Sequence, residues 1–299
     1  FLLIVRLHFV YLYNFARCAL KNKALRLEKY YIFFDRKSLL YCSELCHIEV
    51  EIKMVQMSGL IDVHAHILPG ADDGAASMEE AREMIMMAWE QGIREIIATP
   101  HYVCGSSRCS AEKIRELVRK VQEEARKIHP EFSIYSGNEV LYFRSMTEDL
   151  KEGRILTLGD SRYVLVEFYD DVSYREIFQA VRQITIAGYG MVIAHVERYP
   201  CLREKGRLDE LIRTGALLQM NYGSLEEGIL SADGRWCRRQ AAEGRIHFLG
   251  TDMHNAGKRA PRAAAAASWL VRKVGEEAAW TLLADNAGRI LAGQLLDMG

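Results

Sequence analysis

Between Leu60 and His254 the chain alternates two patterns: short apolar runs of the kind a buried parallel strand shows, and longer stretches whose apolar residues recur at helical spacing. The first run, LIDVHAHILPGADDG (Leu60 to Gly74), breaks at Pro69 and Gly70 as a strand entering a loop would. Ser77 followed by Glu80 forms a capping box that opens a helix. Met84, Ile85, Ala88 and Trp89 share one face of it, and Gly92 is expected to end it. A second strand is predicted over Arg94 to His101 and a helix from about Ser110 to Ile128. A third strand follows over Phe132 to Val140, then a short helix and a fourth strand over Arg162 to Phe168. A helix near Tyr174 to Ala187 stops at Gly188 and precedes strands over Met191 to Arg198, Ala216 to Asn221 and Arg245 to His254. The tail reads as helical, with an alanine run from Ala263 to Ala267 and an amphipathic piece near Trp280 to Leu295.

Seven strands alternating with helices predict an α/β fold. The chemistry-bearing side chains narrow it further. In chain order His64, His66, Asp73, His101, Glu139, Glu167, His195, Asp252 and His254 fall at or just after the C-terminal ends of the predicted strands. A closed or nearly closed parallel barrel, distorted and TIM-like, opens all its βα loops on one face and so gathers such residues into one site. An open doubly wound sheet would collect ligands at one switch point instead. Within the first strand, side chains alternate with period two, so His64 and His66 share a face while Val63 and Ala65 point the other way.

Singly, each of these residues has a structural explanation, as a helix cap or a partner of a backbone carbonyl; together at strand ends they point to a metal centre. Nine imidazole and carboxylate groups exceed what one ion with an open position needs and suit two or three ions. Mixed nitrogen and oxygen donors without cysteine favour manganese, iron or zinc. Such a cluster lowers the pKa of bound water from about 16 toward about 7 and clamps the oxygens of a phosphoryl group in displacement, which points to hydrolysis. Arg198 and Arg259 lie on the loops that carry His195 and His254, and guanidinium forks match phosphate oxygens bidentately.

Bulk composition removes several classes. In 299 residues, 39 basic and 40 acidic side chains nearly cancel, which gives no support for nucleic acid or a membrane surface as a partner held by charge. Seven cysteines, an odd number without CxxC pairs, fit free thiols in a reducing cytoplasm. Two of them open C-x5-R spacings, Cys109 to Arg115 and Cys201 to Arg207, as cysteine-dependent phosphatases do. Neither has the glycine-rich loop that would cradle phosphate.

Residues 1 to 56 differ from the rest. The opening FLLIVRLHFVYLYNF is interrupted by Arg6 and His8, too short and charged for a membrane span, and its basic residues follow the apolar run where a signal peptide would place them before it. We expect an N-terminal extension outside the functional domain, which would start near Met54 or Met57 and occupy residues 57 to 299; a membrane-associated leader is the alternative. Cys42, Cys46 and His47 lack a fourth ligand at zinc-finger spacing and are expected to be inert.

On the segments IDVHAHILPGADDG, EQGIREIIATPH, GNEV, YVLVEF, VIAHVERYP and GTDMHNAGKR, the chain resembles the PHP (polymerase and histidinol phosphatase) superfamily. Within it the likeness is to bacterial metal-dependent protein-tyrosine phosphatases encoded with capsule and exopolysaccharide genes. It spans about Met57 to Arg259, with a looser helical match beyond. One departure is HVER (His195 to Arg198), where relatives often carry proline or isoleucine after the histidine. The resemblance implies a distorted TIM-type barrel with three metal ions, usually manganese. One ion would be held by His64, His66, Glu139 and Asp252; a second by Glu139, Glu167 and His195; a third by Asp73, His101 and His254. It implies that Arg198 and Arg259 bind phosphate and that the substrate is phosphotyrosine in the tail of a bacterial tyrosine autokinase. A small-molecule phosphatase acting on histidinol phosphate or a sugar phosphate, a nuclease, and a non-catalytic metal-stabilised scaffold stand as alternatives. The subunit number is left open.

Overall fold

The computed structural model describes residues 57–226 and 231–296, together with two short strands, Leu25–Leu27 and Tyr30–Ile32. The chain divides into two compact units, Phe1–Gln56 and Met57–Gly299. In the first, the two short strands pair antiparallel. The expectations for Cys42, Cys46, His47 and a start near Met54 lie outside the described residues.

In the second unit the strands are β1 (Leu60–Ala65), β2 (Ile93–Ala98), β3 (His101–Tyr102), β4 (Ser133–Ser136), β5 (Glu139–Leu141), β6 (Tyr163–Glu167), β7 (Gly190–Ile193), β8 (Ala216–Asn221) and β9 (Phe248–Gly250). All pairings among them are parallel. One sheet runs β1-β2-β4 and the other β3-β5-β6-β7-β8-β9. A parallel bridge links Ala65 to Met253, beyond β9, and two hydrogen bonds flank it: His66 N donates to Met253 O at 2.9 Å and Asp252 N to His64 O at 2.8 Å. The first and last strand regions are therefore stitched together where two predicted ligands emerge.

Two runs expected as continuous strands are each split. The first breaks between β2 and β3 at Thr99–Pro100, the second between β4 and β5 at Gly137–Asn138. Proline has no N–H for the ladder. The exposed backbone groups find other partners: Asn138 donates its side-chain amide to Pro100 O at 2.9 Å and accepts from Leu156 N at 2.9 Å, while Thr99 N donates to Ala65 O at 2.9 Å. After the breaks His101 and Glu139 become direct register partners. The interruption thus sets two site residues side by side.

Helices cover the sheets as the apolar spacing demands. Helix α1 (Met78–Glu90) buries Ala81, Met84, Ile85 and Ala88. Helix α2 (Ala111–Ile128) buries Ile114, Leu117, Val121 and Ala125, and α4 (Tyr174–Ile186), after the short α3 (Met146–Lys151), buries Ile177, Ala180, Val181 and Ile184. Each of α1, α2 and α4 has a serine N-cap, Ser77, Ser110 and Ser173, whose side chain accepts a backbone N–H of the first turn. The capping box at α1 is modified: Glu80 reaches back to Ala76 N at 2.9 Å. Further on come α5 (Arg207–Arg213), α6 (Tyr222–Glu226), α7 (Ala232–Ala242), α8 (Ala264–Val274), α9 (Glu276–Trp280) and α10 (Asn286–Leu291). A second apolar cluster joins Ile61, Val63, Leu165, Val192, Leu217 and Phe248 of the strands to Ala287 and Ile290 of α10. Val63 and Ala65, expected on one face, fall in different apolar clusters, because the β1–β2 register shifts between Asp62 and Ala65. Among the described residues no helix is long and apolar enough to cross a membrane.

Candidate metal centre

All nine predicted ligands meet, most of them at or just beyond the C-terminal ends of the parallel strands, while His101 and Glu139 open β3 and β5 directly after the breaks that end β2 and β4. Glu139, 1% exposed at the start of β5, is the hub. Its Oε2 lies 3.0 Å from His64 Nε2, 3.2 Å from His66 Nε2 and 3.2 Å from His101 Nδ1, and its Oε1 lies 2.7 Å from His195 Nε2. Asp252 Oδ1 stands 3.6 Å from the Nε2 of both His64 and His66. Glu167 at the end of β6 approaches His101 Nδ1 at 3.0 Å and His195 Nε2 at 3.7 Å. Asp73 Oδ1 lies 3.4 Å from His101 Nε2 and 3.6 Å from His254 Nε2.

The donor atoms fall into three groups that could each hold an ion: His64, His66 and Glu139; His101, Glu139 and Glu167; and His66, Asp73, His101 and His254. This grouping differs from the implied one in four residues: Asp252 is not in the first group, His195 is not in the second, and two histidines are shared. His101 stands between the second and third groups rather than in the third alone, and His66 is shared by the first and third.

The hydrogen bonds around the imidazoles determine which atoms face the cluster. Gln219 Oε1 accepts from His195 N at 2.7 Å, which identifies it as the amide oxygen, and it lies 3.2 Å from His64 Nδ1. His64 therefore donates through Nδ1 and turns Nε2 inward. Asp72 Oδ2, 2.6 Å from His66 Nδ1, has the same effect on His66. His254 donates Nδ1–H to Asp252 O at 3.0 Å, and its buried Nε2 has no hydrogen-bond partner. A buried lone pair without a donor is costly, and here it points toward Asp73. In their neutral form the imidazoles turn lone pairs toward carboxylate oxygens, so the donor set fits divalent cations.

Without an ion, protons take that role. Burial opposes charge on His64, yet the Glu139 and Asp252 carboxylates override it and raise its pKa to about 10. His101 rises to about 9, again against burial, through Glu167 and Glu139. Burial would raise Glu139, but His64, His195 and His66 hold it well below the carboxylate range. His254 goes the other way: burial, with the neighbouring His66, lowers it to about 4.

Backbone strain is concentrated here. His195 (φ 28°) and Asp252 (φ 52°) are two of the three non-glycine residues with positive φ among those described, Asp160 being the third. Such conformations are held only where the surroundings over-determine them. Gly250 is needed for a different reason: a Cβ there would sit 2.6 Å from His64 Cβ.

Several contributing residues escaped the sequence reading. Asp72 accepts from His66 and from His101 N at 3.0 Å, and also from Gly74 N at 2.9 Å. Asp62 joins the first strand to the last, accepting from His64 N, Thr251 N and Thr251 Oγ1 at 3.1, 2.9 and 2.5 Å. Burial raises its pKa to about 6 despite those bonds. Gln219 is fully buried and Asn221 Nδ2 donates to Asp252 Oδ2 at 3.0 Å. The signal was present in ALLQMN, where a lone amide interrupts an apolar strand.

Arg198 and Arg259 both bind Asp252, Arg198 at Oδ2 and Arg259 at Oδ1 with 2.8 Å. They line a cleft of about 400 Å³ beside the cluster. The cysteine motifs do not form a thiolate site. Arg115 pairs with Asp160 at 3.1 Å, and Arg207, over the Tyr174 ring at 4.7 Å, donates to the backbone oxygen of Cys201 at 2.6 Å. Burial raises both thiols, Cys109 and Cys201, away from the reactive thiolate.

A parallel α/β scaffold with a buried histidine and carboxylate cluster at the C-terminal ends of its strands is the architecture of metal-dependent hydrolases. Residues 60–292 match the model of a family described as capsular polysaccharide synthesis, CpsB/CapC. The chain belongs to that family. Tyrosine-protein phosphatase CpsB of Streptococcus pneumoniae is 33% identical over 243 residues, covering 79% of this chain and 100% of that protein. Tyrosine-protein phosphatase YwqE of Bacillus subtilis (strain 168) is 33% identical over 239 residues, covering 79% and 93%. A crystal structure from the pair YwqE of Bacillus subtilis and CpsB of Streptococcus pneumoniae, described as unique metal-dependent tyrosine phosphatases, superimposes with a TM-score of 0.72 at 31% identity. That match covers 80% of this chain and 96% of that one.

Proposed function

We propose that this chain is a metal-dependent protein-tyrosine phosphatase that removes phosphate from the tail of a bacterial tyrosine autokinase governing capsular or exopolysaccharide synthesis and export. The observation that carries the reading is the set of inward-facing imidazole lone pairs around Glu139, ending in the unpartnered Nε2 of His254, beside a cleft walled by Arg198 and Arg259. Its family membership supports the same reading. In this proposal the seven strand regions form a distorted barrel and residues 57 to 299 are the functional domain. The protein works in the cytoplasm, where Cys104, Cys109 and Cys201, free thiols in the structure, would stay reduced.

His64, His66, Glu139 and Asp252 would hold one ion, Glu139, Glu167 and His195 a second, and Asp73, His101 and His254 a third. In this reading His101 and His66 would be shared between neighbouring ions, which is supported by their membership of two donor groups each. Manganese is the ion of choice, with iron and zinc compatible with the donors. When bound, such ions supply water of lowered pKa and neutralise charge on the phosphoryl oxygens. The chain's own residues do the rest. Gln219 and Asp72 hold His64 and His66 in the tautomer that directs Nε2 inward. Arg198 and Arg259, now bonded to Asp252, offer guanidinium donors at the cleft wall to the phosphate of the substrate. No side chain in the cleft is required as a covalent nucleophile, so phosphate leaves without a phosphoenzyme.

The substrate panel is the test: purified protein with manganese against a phosphotyrosine peptide, a phosphoserine peptide, histidinol phosphate and sugar phosphates. The proposal expects the phosphotyrosine peptide to be turned over with the highest kcat/KM. Preference for histidinol phosphate or a sugar phosphate would overturn the protein-phosphatase assignment, and no turnover of any ester would favour a scaffold.

A further inference from the structure

Charges in the cleft beside the metal cluster do not balance, and the excess lies on one loop. Of its acidic side chains, Asp252 is bonded by Arg198 and Arg259, and Asp233 faces Arg203 at 3.4 Å. Glu197 Oε1 accepts from Asn221 N at 3.0 Å and Ser224 Oγ at 2.8 Å. Arg203 is itself fixed, its guanidinium 4.0 Å over the Trp236 ring. Lys258 and Arg262 are the remaining cations. Both are exposed and line the cleft, and among the described residues neither makes a hydrogen bond or an ion pair. Arg262 feels the Glu226 carboxylate only at longer range.

The loop carrying these cations is rigidly built. His254 N donates to Arg259 O at 2.9 Å, and Asn255 Oδ1 accepts from Gly257 N at 3.0 Å and Arg259 N at 3.1 Å. Lys258 therefore sits next to a phosphate-clamp candidate on backbone held in place by the ligand His254. Pre-set geometry lowers the ordering cost of binding, and uncompensated charge on a cleft wall selects a complementary partner.

From this placement we propose that Lys258 and Arg262 read a second anionic group on the substrate, next to the phosphotyrosine held by Arg198 and Arg259. The inference rests on the phosphatase reading and narrows it to anionic phosphopeptides. The shared chemistry is a carboxylate or a second phosphate within a few residues of the scissile one. Lys258 and Arg262 determine specificity; the reacting phosphoryl group belongs to the other residues of the cleft.

The test compares three phosphotyrosine peptides of equal length on the manganese-loaded full chain: one with neutral flanks, one with Asp and Glu flanks, one with a second phosphotyrosine. Wild type is expected to favour at least one anionic peptide over the neutral one by about fivefold in kcat/KM, the size two exposed charge pairs supply. The gain should reside in KM and shrink with added salt. In the double variant Lys258→Gln/Arg262→Gln the ratio falls to about one. The arm that shows the preference identifies the source, carboxylate or phosphate. A ratio near one in wild type, or a ratio kept in the double variant, overturns this proposal while leaving the phosphatase reading in place. Absence of turnover of the three peptides and of p-nitrophenyl phosphate would overturn that reading and this proposal with it.

Discussion

His64 and His66 present their Nε2 atoms to each other at 3.1 Å, and in neutral form neither carries a proton there. Their Nδ1–H groups are committed to Gln219 Oε1 and Asp72 Oδ2, and Glu139 Oε2 closes the triangle. Three electron-rich atoms within hydrogen-bond distance repel unless a cation separates them. Binding divalent ions should therefore stabilise the fold. Manganese at ~100 times its Kd is expected to add about 2.7 kcal/mol, measurable as a raised Tm that EDTA reverses. In Glu139→Ala, which removes the hub of four histidines, the manganese-dependent rise should be lost.

Gln219 positions ligands without touching substrate. Gln219→Ala removes the acceptor that fixes His64 Nδ1 and holds His195 N. Metal affinity or turnover should fall by about 10- to 100-fold. Titrating manganese against activity separates the two losses, and Gln219→Glu, which keeps an acceptor, should recover part of the effect.

Gly250→Ala should damage the site through its packing. The new Cβ would lie 2.6 Å from His64 Cβ, so β9 and β1 must move apart. We expect a stability loss of about 1–3 kcal/mol together with reduced manganese-dependent turnover, checked by urea unfolding and assay of the same preparation.

His247 supplies a pH test away from the ligands. Its Nδ1 accepts Leu218 N at 3.1 Å, and burial lowers its pKa from 6.5 to about 4. The unfolded chain takes up this proton first, so the stabilisation is complete above about pH 6.5 and is lost as pH falls through about 4. Roughly 3 kcal/mol should go over that window. Comparing metal-free wild type with His247→Gln by urea unfolding from pH 7 to 4 isolates it, and equal slopes would contradict it.

Much of this arrangement was legible from residue types and periods alone. Strand-end placement of His101, Glu139, Glu167 and His195 follows from apolar runs that end on polar residues, and these residues do meet at the strand ends. The strand breaks were not legible, because Pro100 and Asn138 act through hydrogen bonds to residues distant in sequence. Nor were the positive φ angles of His195 and Asp252: aspartate and histidine adopt that conformation more readily than most residues, but only tertiary contacts select which of them do. Asp72 was passed over for Asp73 for the same reason: sequence shows two adjacent carboxylates, and only the loop geometry sends one to His66 Nδ1 and leaves the other facing His254.

The thiols should be dispensable. Cys109→Ser and Cys201→Ser are each expected to keep phosphatase turnover within about twofold of wild type, because burial keeps both thiols protonated, Arg115 is engaged by Asp160, and Arg207 is bonded to the backbone oxygen of Cys201. A loss comparable to that of a metal-ligand variant would contradict this.

Phosphate release from a phosphotyrosine peptide, followed with manganese and then with excess EDTA in wild type, Asp252→Ala and His254→Ala, tests the central claim most directly. The account predicts manganese-dependent turnover in wild type, its loss in EDTA, and a drop of more than about 100-fold in each variant while circular dichroism still reports a folded protein. Turnover that survives EDTA, or that persists in both variants, would contradict it.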